Sequence, residues 1–179
     1  MEELTLETES SALNVDFARK LIRFNSWENQ RVWDLAIVPL TDDQFLREVA
    51  FMRSTVASVC HRIIDTESVC LQRILAVSSV PGERLEDTAD RAAMAARWIS
   101  LRQAWNEFAA HLDGEMLFSK REFETEGDRR EMHVWQLVFD VIYQGTSRRS
   151  QVLRLVAEVN QPAEFDLSLL QHLTGLLRG

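Results

Sequence analysis

The chain has 179 residues, 46% of them hydrophobic, with few glycines and prolines, so it can bury one sizeable core and favours helices over a loop-rich or disulfide-built fold. Its formal net charge of -8 excludes a generic nucleic-acid binder, because phosphate recognition draws on clustered Lys and Arg. The pairs Lys120-Arg121, Arg129-Arg130 and Arg148-Arg149 are too short and interrupted to change that, and the acidic N-terminus MEELTLETES lacks the apolar core of an export signal. With no long apolar run either, the expectation is a reduced cytoplasmic protein with no membrane partner.

Residues 1–11 read as a polar lead-in, and residues 12–179 as a single domain. From Leu13 to Ile37 the pattern is helical, with Phe17, Leu21, Phe24, Trp27, Val32, Leu35 and Ala36 on one broad face. Asn25 and Asn29 lie one turn apart beside Trp27 and are expected to be exposed or to cap. Pro39 ends this helix, since proline disfavours helical geometry in the residue before it. Thr41 and Gln44 fit a capping box that starts a short helix. The second long helix, capped by Ser54, buries Val56, Val59, Cys60, Ile63, Ile64 and Ile74. It also carries His61 and Asp65 on one stripe. Cys60 and Cys70 share this helix about 15 Å apart along its axis, beyond the reach of a disulfide.

A loop with Pro81 and Gly82 precedes a third helix, for which Asp87 is the expected cap. Met94, Trp98, Leu101, Trp105, Phe108 and Leu112 form its seam, which reads as core and could also serve a subunit interface. Gly114 is placed to end it. Between Glu115 and Glu131 the helical period breaks around a Gly-Asp turn, so an irregular excursion or small β-hairpin is expected. The stretch Met132 to Leu155 then makes a long helix with Trp135, Val138, Phe139, Ile142, Val152, Leu153 and Val156 on its apolar side. Beside them Asp140, Gln144 and Arg148 repeat at one-turn spacing and form a polar stripe. After Pro162 a shorter helical segment closes the chain. Four main helices make the fold class all-α, a four-helix bundle.

The chain has no phosphate-cradling glycine loop, nucleophile elbow, CxxC pair or HExxH. None of its four histidines, His61, His111, His133 and His172, has a second histidine one turn away. Spacing alone stops at a helical bundle with a polar stripe. The order RFNSWENQRVWDLA, STVASVCHRIIDTE, VWQLVFDVIYQGTSRRSQVLRLVAEV and FDL, covering roughly residues 16–170, resembles the DinB/YfiT-like superfamily of four-helix bundles. That family places an Asn and a Trp at the positions of Asn25 and Trp27 and a histidine where His61 stands. Its late helix reads like NHGTHHRGQ, which overlays YQGTSRRSQ here.

The resemblance implies a metal held by one histidine on the second helix and two on the late helix, serving a hydrolase or a thiol S-transferase. Here the two late positions are Gln144 and Arg148. Gln144 offers only a weak carbonyl donor, and the guanidinium of Arg148 is a permanent cation without a lone pair. The expectation is therefore a degenerate site with no cofactor, in a small-ligand-binding or stress-response protein. Its pocket candidates are His61, Asp65, Asp140, Gln144 and Arg148, with Arg148 holding a small anion or filling the site as an internal salt bridge. One alternative is a rebuilt zinc or nickel enzyme using His61, Asp140 and Gln144. Another is a dimeric interaction module, and a homodimer is expected in either case.

Overall fold

A computed structural model of the chain describes residues 14–77, 90–125 and 127–160. Helix α1 (Val15–Val32) starts where the Asn14 side chain accepts the backbone N–H of Phe17 at 2.7 Å. It runs on into a π-helical turn, Trp33–Ile37, closed by Val38 N donating to Trp33 O at 2.9 Å just before Pro39. Helix α2 (Asp42–Leu46) opens with the Thr41/Gln44 capping box. Helix α3 (Val56–Leu75) opens with a second box, Thr55/Ser58, and ends at Ala76 in the left-handed region. Helices α4 (Arg91–His111), α5 (Gly114–Phe118) and α6 (Val134–Val159) follow, with the hairpin β1 (Lys120–Thr125) and β2 (Asp128–His133) between α5 and α6.

The four long helices pack in the ring order α1, α6, α3, α4, and their cross-contacts fix their directions. Trp33 meets Trp98 and Arg19 reaches the Leu112 carbonyl, so α1 and α4 are antiparallel. Cys70 reaches Leu137 and Arg148 reaches Thr66, so α3 and α6 are antiparallel. Asn25 and Asn29 both reach Arg149, while Phe17 and Leu21 line a groove with Trp135 and Phe139; α1 and α6 therefore run parallel. The resulting order is up, down, down, up. Connections between parallel or diagonal helices cannot be tight turns, which is why the hairpin spans the passage from α4 to α6.

Apolar side chains from all four helices share one core, including Ile22, Val59, Ile63, Ile64, Leu71, Met94, Leu101, Val152 and Leu155. The aromatic seam of α4 lies inside it, as its spacing predicts: Trp98, Trp105 and Phe108 are all buried. Trp33 and Trp98 meet edge to face at 5.1 Å, and Trp105 and Phe108 at 5.7 Å. That seam is not free to form a subunit interface. The hairpin pairs Lys120 with His133 through Thr125 with Asp128, and Gly127 takes a φ of +84° at its turn. It docks on α3, where Arg73 covers the Phe123 ring and Arg121 donates to the Ile74 carbonyl at 2.7 Å.

Several local expectations shift. The α3 cap is Thr55, not Ser54, and α4 is capped by Asp90, whereas Asp87 lies outside the described residues. Gly114 opens α5 instead of closing α4, because Asp113 accepts the Met116 N–H and restarts a helix. The lead-in, the loop at residues 78–86 and the segment after Pro162 also lie outside the described residues. Phe17 on α1 and Leu35 on the π-helical turn are exposed, and the inward face of α1 is occupied partly by polar residues. Asn25 and Asn29 are buried, contrary to an exposed or capping role.

Candidate functional site

The polar centre of the bundle is built on Arg149, one residue beyond the stripe expected from spacing. Its side chain is 1% exposed. One terminal nitrogen, Nη1, donates to Asn25 Oδ1 at 2.7 Å and Asn29 Oδ1 at 2.8 Å, and the other, Nη2, to Glu28 and to Thr146 Oγ1 at 3.0 Å. Both asparagines use their amide N–H groups on the same oxygen, Glu67 Oε1, at 2.7 and 2.6 Å. Helical spacing explains the convergence, since Asn25, Glu28 and Asn29 share one face of α1. Gly145, one turn before Arg149, makes room for it. A Cβ there would stand 2.8 Å from Asn25 Oδ1 and 2.9 Å from Arg149 Nη1.

Burial sets the charge of this cluster. Desolvation raises the Glu67 carboxyl, against the amides of Asn29 and Asn25 and the more distant Arg149. Glu28 is likewise raised by burial and held down by Arg149, whose own guanidinium burial pushes lower. Glu67 Oε1 receives both amides and Glu28 faces Arg149, so each carboxyl of the cluster has a named partner.

The residues expected to form a pocket fall into two sets. In the first, His61 Nδ1 and Arg97 Nη2 each contact one oxygen of Asp65 at 2.8 Å, which ties this stripe of α3 to α4. His61 Nε2 is buried without a partner, as are Nε and Nη1 of Arg97. In the second, Arg148 crosses from α6 to α3, donating to the Arg62 carbonyl, Thr66 Oγ1 and, at 3.1 Å, Gln144 Oε1. Gln144 donates in turn to Asp140 at 2.7 Å. Among the described residues no hydrogen bond or ion pair joins the sets. The residues Arg62 and Thr66, which Arg148 meets, lie about 100° around α3 from His61 and Asp65.

The second set is short of negative charge. Arg148 and Arg62 make no ion pair among the described residues; Arg62 donates to Ser58 O at 3.3 Å and Ser54 Oγ at 2.9 Å. Desolvation and the neighbouring Arg62 both lower the Arg148 pKa, opposed only at longer range by Asp140 and Asp65. A cleft of about 570 Å³ lined by Trp33, Asp42 and Arg91 lies on the opposite, α1–α4 side. Its arginine is already spent on the carbonyls of Ile37, Val38 and Leu40.

A metal of the kind that the resemblance implies does not fit these residues. His61 Nε2 is one suitable donor, oriented by Asp65 as a ligating imidazole often is. The late-helix positions supply no second one, because Gln144 Oε1 already accepts from Arg148 and Arg148 has no lone pair. Among the described residues no three His, Cys, Asp or Glu side chains cluster for an ion. Comparisons with family models, with curated proteins and with solved structures find no match to this chain. Glu28, Glu67 and Arg149 were missed by pattern reading; Gly145 in mid-helix was the available signal, since such a glycine often marks a close approach.

Proposed function

We propose that the protein is a DinB-like bundle that binds a small anion at the α3–α6 seam and performs no metal chemistry. One observation carries this reading: Arg148, partly desolvated, stands beside the exposed Arg62, with no carboxylate paired to either among the described residues. A carboxylate or phosphate group at this seam would relieve their mutual repulsion and accept charge-assisted hydrogen bonds from Arg148. Gln144, already in contact with Arg148, is placed to orient such a ligand. His61 takes no part, since it is committed with Asp65 to the α4 side.

The superfamily resemblance supports the bundle, and the four packed helices agree with it. The rebuilt metal enzyme is less well supported because His61 and Asp140 belong to different hydrogen-bond sets. The test is thermal unfolding with inorganic phosphate and small carboxylates added in turn. At least one should raise the midpoint in the wild type and leave Arg148→Ala unmoved. Equal stabilisation of both proteins would remove Arg148 from the reading.

A further inference from the structure

A groove runs along the α1–α4 contact, on the side of the bundle away from Arg148. It joins the cleft of about 570 Å³ to a smaller cavity of about 120 Å³, and Trp33 and Ala95 line both. Ala92, Ala95 and Ile99 recur at helical spacing on α4, and the two alanines are too short to close the gap. Trp33 stands at the first residue of the π-helical turn, a distortion that recurs at functional sites. The middle of the groove is therefore apolar, with the indoles of Trp33 and Trp98 as walls.

Its two ends are acidic. At the mouth lie Asp42, Asp90 and Arg91. Arg91 donates to the carbonyls of Ile37, Val38 and Leu40 and stands 3.6 Å from Asp42, which leaves Asp90 as the carboxylate in excess. One oxygen of Asp90 accepts the Ala93 N–H. At the other end Asp34 accepts the Gln30 amide at 2.6 Å, and the carbonyl arm of that amide is held by Arg102. Asp34 makes no ion pair among the described residues. From Asp90 to Ile99 the groove extends about 13 Å along α4 at the usual helical rise.

A carboxylate at each end with apolar surface between them is complementary to a linear dication. We propose that the α1–α4 groove binds a linear aliphatic diamine, one ammonium at Asp90 and the other at Asp34, with the methylene chain laid over Ala95 against the Trp33 indole. Each ammonium offers three donors to carboxylate oxygens, and the methylenes beside it pack on an aromatic face. The net charge of -8 favours the approach of cations. This site is independent of the anion reading, which uses Arg148 on the α3–α6 side.

Calorimetric titration at low salt with the linear diamines from diaminobutane to diaminodecane tests it. Affinity should rise with chain length, pass through a maximum and fall, because only a matched chain reaches both carboxylates. The monoamine of the best length should bind roughly fivefold more weakly. Asp34→Asn and Asp90→Asn should each bring that diamine down to the monoamine's affinity; asparagine also caps helices, so the second variant keeps the start of α4. Ala95→Leu, which fills the groove with a good helix former, should abolish binding of both amines. No saturable heat from any diamine, an affinity that climbs steadily with each added methylene, or binding unchanged in Asp34→Asn and Asp90→Asn would overturn the proposal.

Discussion

Arg149 and Glu28 form an ion pair across the α1–α6 contact with side chains 1% and 5% exposed. Taking two charges out of water is expensive, so the pair persists because Asn25, Asn29 and Thr146 satisfy most of the remaining donors around it. Breaking it from one side strands Glu28. Arg149→Met should therefore destabilise the fold by about 3–5 kcal/mol in urea unfolding. Arg148→Ala, one residue away at the partly exposed seam, should lose no more than about 1.5 kcal/mol. Equal losses would mean that the polar centre is misplaced.

Gly145→Ala is informative because two effects oppose. Alanine favours a helix interior over glycine by about 1 kcal/mol. Against that, a Cβ at 2.8 Å from Asn25 Oδ1 and 2.9 Å from Arg149 Nη1 must push apart a network held from both helices. The clash should win, with a net loss of about 1–3 kcal/mol by urea unfolding. A stabilised variant would show that the network relaxes without strain.

Stability should also depend on pH through Glu67. Burial raises its folded carboxyl above the ordinary value of 4.5, so the folded state binds its proton more tightly than the unfolded state does. That contribution is fully present below the unfolded pKa and is lost as pH rises from there through the folded pKa. Glu28 acts in the same direction. Urea midpoints taken upward from pH 4.5 should therefore fall more steeply in the wild type than in Glu67→Gln, which cannot titrate there. Parallel slopes would contradict a raised Glu67.

The start of α3 offers a smaller check. Thr55, the N-cap, accepts the Ser58 N–H at 2.9 Å, while Ser54 bonds the Ser58 side chain and Arg62. Thr55→Ala should cost about 1 kcal/mol, the usual loss for a removed cap, and more than Ser54→Ala. Thermal unfolding of the two variants decides between them.

Apolar periodicity made the helices legible, and the seam from Met94 to Leu112 is buried as its spacing requires. The β-hairpin could be read from the same change of period that broke the helix. The interior of α1 could not, because its inward face carries Asn25, Glu28 and Asn29, and hydrophobic spacing places such residues outside. On α6, Arg148 and Arg149 are alike in type and differ by about 100° around the axis, so the polar stripe could be drawn through either. What places Arg149 inside is Glu28 and the two asparagines of α1, a pairing distant in sequence that no local pattern encodes.

We propose that Gln144 and Arg148 serve anion binding through a fixed cation and hold no metal. Calorimetric titration of untagged protein with zinc, repeated with His61→Ala, tests it most directly. The account predicts no stoichiometric heat from either protein. A one-to-one zinc isotherm in the wild type that disappears in His61→Ala would contradict it and favour a metal site built on His61.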